Sequence, residues 1–399
     1  MPLDLEAGDV YAGNLRVRGV LGVGSFARVY EVDAPGYDRP LALKLTREPV
    51  TVSEHAQRAL REITILRSLT NPHVVRTFDC GLRPDGHIYL LMDLLAGSTL
   101  DEWHNFEEPL HPAQAVTIIH QACLGLAEAH AMGVVHRDVK PENIFIEHDG
   151  HIKMLDFGLA RSWDGRPVVG VNATENHMVV GTPHYSQPEQ LKTRVLSPAS
   201  DVYSLATILY ELLSARSPLF PDHPLTEVKY KLRAEPAAWL KAHMKVTPAP
   251  VSSLPGCESL PPALVHGLAR ALDKDPLRRP PTAGALANIL GLVLHRDMGI
   301  PVAATLRILH PDNQCVDHLF LPGSYRIGSG ARCEIKLRDD NVPGVHAVLE
   351  WSGAPNPPHL RPLIDDGSVR KNDEVIEGPV ELVGDDEFSV GATRLAVMM

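Results

Sequence analysis

The sequence predicts an α+β chain in two parts: a bilobal unit with a small β-rich lobe and a larger helical lobe, then a separate all-β sandwich. Three observations carry this. Short β-branched and aliphatic runs alternate with glycines over residues 10–50, helical periodicity dominates from Pro112 to Leu294, and beyond Gly299 short runs return between glycine, proline and aspartate clusters. The 399 residues allow two or three domains, and 44% hydrophobic with 22% charged residues is a globular composition.

Leu15–Val20, Val29–Val32 and Leu41–Leu45 read as antiparallel strands joined by tight turns. Over Val52–Leu69, Leu60, Ile63 and Leu66 recur at helical spacing, with Ile65 and Leu69 filling in, until Asn71-Pro72 stops the pattern. A second pair of strand-like runs closes the small lobe near Leu95. Helical patterns with polar, proline-rich connections follow, interrupted by strand-like residues at Val134–Val135, Ile144–Ile146 and Ile152–Leu155. The join at His295–Val302 is short, and Ala304–Leu309, His318–Leu321 and Val345–Trp351 begin the all-β part. The expected domains are 10–295, with lobes meeting near residue 95, and 302–399.

A formal charge of −11, from 38 basic and 49 acidic residues, argues against a general phosphate-backbone binder, so nucleic acid is not an expected partner. The five cysteines are scattered, with no Cys-x-x-Cys pair, and read as reduced thiols. The opening stretch is short and acidic, unlike a secretory leader, and the longest apolar run, near Ala283–Leu294, is too short to span a bilayer. The expectation is a cytoplasmic protein.

Phosphoryl transfer needs a phosphate cover, a cation, oxygen ligands for metal and a base. Gly22-Val23-Gly24-Ser25-Phe26-Ala27-Arg28-Val29 lies between two predicted strands, where residues with little side chain let backbone amides approach phosphate oxygens; taken alone it equally fits a hairpin turn. Alternation places Lys44 on the same face as Ala42, toward a cleft. Glu62, on the predicted helix that follows, is an ion-pair candidate for that amine. The densest group lies at 136–158: His136-Arg137-Asp138, Lys140, Asn143 and Asp156-Phe157-Gly158.

Together these residues resemble the protein-kinase family, over nearly all of 10–295. The resemblance implies the bilobal protein-kinase fold and serine/threonine protein kinase activity of the bacterial type, dependent on ATP and Mg2+ and acting on protein substrates. Asp138 would accept the proton of the substrate hydroxyl, Lys140 contact the transferring phosphoryl group, Asn143 and Asp156 hold magnesium, and Lys44 with Glu62 order the phosphates. Around ATP it implies Gly22, Val23, Gly24, Val29, Ala42 and Lys44, with Met92 at the back of the adenine pocket and Asp93 to Leu95 as its hinge. Glu189 would pair with Arg279, and Asp201 would brace the catalytic loop. Lys140 and Thr182 follow the serine/threonine-specific pattern. Arg137 resembles residues that dock a phosphorylated segment; of Ser162, Thr174, Thr182 and Ser186 in that segment, Thr174 is the candidate site. Ala27 in place of a third glycine and Gln187 in place of alanine depart from the pattern without removing a catalytic group. The competing class is a pseudokinase scaffold that only binds proteins.

Tyr325-Arg326-Ile327-Gly328, Cys333–Leu337, Val345–Leu349, Asp366-Gly367-Ser368 and Val390-Gly391 resemble a forkhead-associated (FHA) domain, a β-sandwich that reads phosphothreonine peptides. The phosphate donors of that family are replaced here by Ser329, Pro343 and Arg370-Lys371, with His346 retained. Losing those donors removes charge-assisted hydrogen bonds of about 1.5–3 kcal/mol each, so the expectation is a degenerate module that docks a protein partner without reading phosphothreonine. Arg338, Arg370 and Lys371 are the candidates for a substitute anion site.

Overall fold

Glycine-punctuated alternation at the start of the chain becomes a six-stranded antiparallel sheet in the computed structural model. The structure describes residues 5–47 except 13, 25 and 26; 49, 65 and 67–157 except 84; 183–300 except 193–195; and 304–398 except 313, 321, 331, 332, 340, 341, 343, 352–355, 384 and 385. The strands are β1 (Val10–Tyr11), β2 (Leu15–Val23), β3 (Ala27–Asp33), β4 (Leu41–Thr46), β5 (Thr77–Leu82) and β6 (Ile88–Asp93). Their order is β1-β2-β3-β4-β6-β5. On β4, Leu41, Leu43 and Leu45 enter a core with Tyr30, Val32 and Leu91, so alternation turns Ala42 and Lys44 to the opposite face. Most of the helix expected at Val52–Leu69 falls outside the described residues.

The helical lobe is built from α1 (Leu100–Trp103), α2 (Pro112–Ala131), α3 (Pro188–Lys192), α4 (Pro198–Ser214), α5 (Leu225–Lys231), α6 (Pro236–Lys245), α7 (Pro262–Ala271) and α8 (Ala283–Leu292). Proline at the first helical position opens α2 and α4, where an amide proton would have no partner anyway. Residues Ala199 to Ser214 of α4 are all buried, so this helix is the axis of the lobe. β7 (Gly97–Thr99), just before α1, joins β8 (Ile144–Glu147) and β9 (Ile152–Met154), which follow α2, in a small antiparallel sheet. Val134–Val135 form no strand. Gly133, at φ +77°, ends α2, and the Val134 amide turns back to the Ala129 carbonyl at 2.8 Å.

Two further sheets make up the last part of the chain. One runs β11-β10-β20-β19-β16-β17 and the other β13-β12-β14-β15-β18. In chain order these are β10 (Ala304–Leu309), β11 (Cys315–Phe320), β12 (Gly323–Gly328), β13 (Ile335–Lys336), β14 (Ala347–Trp351), β15 (His359–Pro362), β16 (Val369–Lys371), β17 (Glu374–Val375), β18 (Val380–Glu381), β19 (Glu387–Val390) and β20 (Thr393–Met398). Leu306, Ile308, Phe388 and Leu395 of one sheet join Ile327, Leu349, Trp351 and Leu360 of the other in one core. The chain divides into two compact units, up to Leu286 and from Ala287. Among the described residues no helix is long and apolar enough to cross a membrane.

Candidate active site

Asp201, on the buried axis α4, organises the loop that follows α2. Its Oδ2 accepts the His136 amide at 2.7 Å and Nε2 of His130 at 2.8 Å, while Oδ1 accepts the Arg137 amide at 2.9 Å. Arg137 sits at φ +68°, a conformation that costs a non-glycine residue about 1 kcal/mol or more. The charge-assisted bonds to a carboxylate with no solvent exposure offset that cost. His130 has one tautomer: its Nδ1 accepts the Ala283 amide at 3.1 Å, so Nε2 carries the proton given to Asp201. His136 is fixed the same way, with Nδ1 accepting the Asp138 amide and Nε2 donating to the Leu155 carbonyl at 2.7 Å. Burial holds the His136 imidazole below its usual basicity, against the pull of Asp201.

This frame presents Asp138, Lys140 and Asn143 together. Asp138 Oδ2 lies 3.1 Å from Lys140 Nζ and 3.2 Å from Asn143 Nδ2, which also donates to the Asp138 carbonyl at 2.7 Å. With its amide nitrogen committed twice, Asn143 has its carbonyl Oδ1 as the oxygen to offer a hard cation. The Leu155 amide donates to the Asn143 carbonyl at 2.9 Å, which joins this loop to the strand leading to Asp156. Asp156 stands at φ +49°, and its carboxylate pairs with Lys44 Nζ. Phe157 packs its ring 4.7 Å from that of His136. Lys44 belongs to the small lobe and Asp156 to the helical one, so the pair spans the cleft between lobes.

Across the cleft, the Gly24 amide donates to the Ala27 carbonyl at 2.9 Å and closes the turn between β2 and β3. Nothing lies within 4 Å of where a Gly22 side chain would begin, and Val23 is 60% exposed. Val29 is partly buried and Ala42 buried. Ala42 pairs in register with Met92, and Leu41 with Asp93. The Asp93 amide donates to the Arg76 carbonyl at 3.0 Å, and its carboxylate takes Arg39 at 2.6 Å. Leu95, partly buried, follows in the strand's extension. Glu62, Gly158, Ser162, Thr174 and Thr182 lie outside the described residues. Ser186 is buried, which removes it from the accessible hydroxyls.

Glu189 and Arg279 form a buried bidentate pair at 2.8 and 2.9 Å. Two contributors escaped the sequence reading. His130 is a lone histidine on a helix, with no spacing signal to mark it. Glu211 reads as one more helical carboxylate, yet it is fully buried and bonded to His184 and Tyr185.

In the last unit, Ser329 Oγ donates to the Val342 carbonyl at 2.7 Å. Lys371 bonds Asp386 at 2.8 Å and the Glu381 carbonyl at 2.7 Å, and Arg338 bonds Gln314 at 2.6 Å. Arg370 donates to the Asp373 carbonyl at 3.1 Å. Each candidate for a substitute anion site therefore has a bond within the unit. Pro343 lies outside the described residues.

A family model described as "Protein kinase domain" matches residues 15–289. The chain is 33% identical over 273 residues to the serine/threonine-protein kinase PrkC of Bacillus subtilis, covering 68% of this chain and 39% of that protein. It is 31% identical over 287 residues to pkn3 of Myxococcus xanthus, covering 71% and 50%. The chain thus spans half or less of these relatives' own lengths. A crystal structure of the Mycobacterium tuberculosis PknI kinase domain superposes with TM-score 0.54 at 23% identity, over 72% of this chain and 98% of that one, which is a likeness of fold.

Proposed function

This chain belongs to the protein kinase family, and from that premise we propose that it transfers the terminal phosphoryl group of ATP to serine or threonine hydroxyls of proteins. The observation that carries the reading is the Asp138 carboxylate held at 3.1 Å from Lys140 and 3.2 Å from Asn143, on a loop tied to Asp201. Asp138 takes the hydroxyl proton as the oxygen–phosphorus bond forms and the bond to ADP breaks. Lys140, beside it, meets the negative charge of the transferring group. Lys44 on β4 would meet the phosphates together with the Gly22 to Gly24 turn, and Met92, Asp93 and Leu95 would line the adenine. Glu62 is proposed to support Lys44.

Asn143 Oδ1 and the Asp156 carboxylate are hard oxygen donors, which fits Mg2+. When bound, the metal neutralises phosphate charge. Thr174 is the proposed phosphorylation site of the segment before Pro183. For residues 302–399 we propose an FHA-like docking module that binds a protein partner without phosphothreonine recognition, supported by the internal bonds of Ser329, Arg338, Arg370 and Lys371.

Incubating the full chain with radiolabelled ATP, magnesium and generic protein acceptors tests the reading. Incorporation into serine and threonine is expected, reduced about 100-fold or more in Asp138→Asn and absent in Asp156→Asn. A wild-type chain that labels neither itself nor an acceptor would favour the scaffold alternative.

A further inference from the structure

The acidity of the chain is concentrated in one stretch of its last unit. Residues 363–387 carry nine carboxylates against two bases, a formal −7 of the chain's −11. The same stretch is apolar at its surface. Leu363, Ile364, Val375 and Val383 are 39–53% exposed, and they are four of the six exposed large hydrophobic side chains among the described residues of this unit. Carboxylates alone serve solubility, but exposed leucine, isoleucine and valine set among them do not.

These residues come together on the side of the sandwich where both sheets end. β17 is the last strand of one sheet and β18 of the other, so neither has a neighbour beyond it among the described residues. The Lys371 ammonium on β16 reaches the Glu381 carbonyl of β18 at 2.7 Å and the Asp386 carboxylate at 2.8 Å, and the Asn372 amide donates to the Glu387 carbonyl at 2.8 Å. These bonds draw the β16–β17 hairpin against residues 381–387. Val375 in turn lies 3.8 Å from where a Gly367 side chain would begin, so the loop 363–368 adjoins the hairpin. Within that loop, the Asp366 carboxylate stands 3.4 Å from Nε2 of His346, which is 2% exposed and whose Nδ1 has no partner among the described residues. The buried side of the loop thus keeps an unspent polar atom. Both bases of the stretch are already used, Lys371 on Asp386 and Arg370 on the Asp373 carbonyl.

We propose that this side of the unit docks an extended, lysine- or arginine-rich segment of a partner protein, whose apolar side chains cover Leu363, Ile364 and Val375 while its cations meet the carboxylates around them. The proposal rests on the docking-module reading and names the class of partner. Charge decides the occupant. A phosphopeptide, a nucleic acid, an anionic membrane or a second copy of the same face brings further negative charge to a surface that has a large excess of it, and like charges across an interface cost free energy. The apolar contacts supply affinity and the carboxylates select the partner. The edge strands β17 and β18 also present backbone groups with no ladder partner, which an extended chain is suited to meet.

The test is fluorescence anisotropy of a fluorescein-labelled octapeptide of alternating lysine and valine, titrated with the full chain without nucleotide at physiological ionic strength. Micromolar binding is expected. Val375→Asp, at an exposed position, is expected to weaken it about tenfold or more, and the double variant Glu374→Lys with Glu377→Lys to do the same. Melting curves establish that each variant folds, and either one suffices if the other does not. Replacing the valines of the peptide by serine, or its lysines by glutamate, is expected to weaken binding at least about tenfold. No binding of the lysine–valine peptide, equal binding by the variants, or equal binding of the lysine–serine peptide, which would mean adhesion by charge alone, would each overturn the assignment. A phosphothreonine peptide that binds and is released by dephosphorylation would instead overturn the docking-module reading, and this partner class with it.

Discussion

The residues that matter most at the site are held by bonds to atoms that carry no chemistry themselves. Asp201 has three donors from three different residues, and a carboxamide in its place offers a single acceptor oxygen and turns N–H groups toward donors. Asp201→Asn is expected to reduce phosphate incorporation at least about tenfold and to destabilise the helical lobe by roughly 2–3 kcal/mol, read by urea unfolding. Gly125 marks a different constraint. A Cβ there would stand 2.4 Å from the His73 carbonyl, which already accepts the Met154 amide at 2.8 Å. Gly125→Ala should therefore cost about 1–3 kcal/mol, although alanine is the better helix former; a variant as stable as the wild type in urea would disprove the close approach. At this scale residue type and order singled out Lys44, Asp138, Asn143 and Asp156, and the structure sets Asp138 beside Asn143 and Lys44 beside Asp156. His130 and Glu211 were illegible because their importance comes from three-dimensional neighbours 71 and 27 residues away.

Among the elements, strands were read well because alternation is a local property: the runs at Leu15, Leu41, Ala304 and Val345 begin within two residues of observed strands. Val134–Val135 misled for a reason that composition hides. β-branched residues favour strands, but here they follow a helix-ending glycine and spend the first amide on closing the helix. The contact between α3 and the turn before α8 supplies an energetic test. Arg279 has no side-chain exposure and meets Glu189 with two parallel bonds, while its Nε reaches the Asp273 carbonyl at 2.7 Å. Arg279→Met strands a buried carboxylate and should cost about 3–5 kcal/mol; changing Glu189 to leucine in the same chain should recover a good part of that loss, since no uncompensated charge then remains. Thermal melts of the single and double variants decide this, and a double variant less stable than the single would refute it.

The whole molecule carries a pH dependence set by its buried histidines. Desolvation holds His120 at about 4, with His73 adding to the effect, and holds His243 at about 3. In the unfolded chain each titrates near 6.5, so between these values the unfolded state binds more protons and stability falls as pH drops. At pH 5 each histidine should remove roughly 2 kcal/mol relative to pH 7.5. Melting temperatures across pH 7.5 to 5 should decline, and His120→Leu should flatten the decline; a profile equally steep in that variant would count against the assignment. The last unit adds a binding prediction. Because Arg338, Arg370 and Lys371 are engaged internally, calorimetric titration of the full chain with phosphothreonine peptides should give no micromolar binding that dephosphorylation abolishes.

One bond described above also gives the molecule a built-in reporter. His130 has its ring nitrogens locked between the Ala283 amide and Asp201, so its Nε2 proton is buried in a hydrogen bond and shielded from water exchange. Such a proton persists long enough to give its own low-field magnetic resonance line. That line would register, without substrate, nucleotide or radiolabel, whether α2, α4 and α8 have closed around the loop that carries Asp138, and it would vanish in any variant or solvent that opens them.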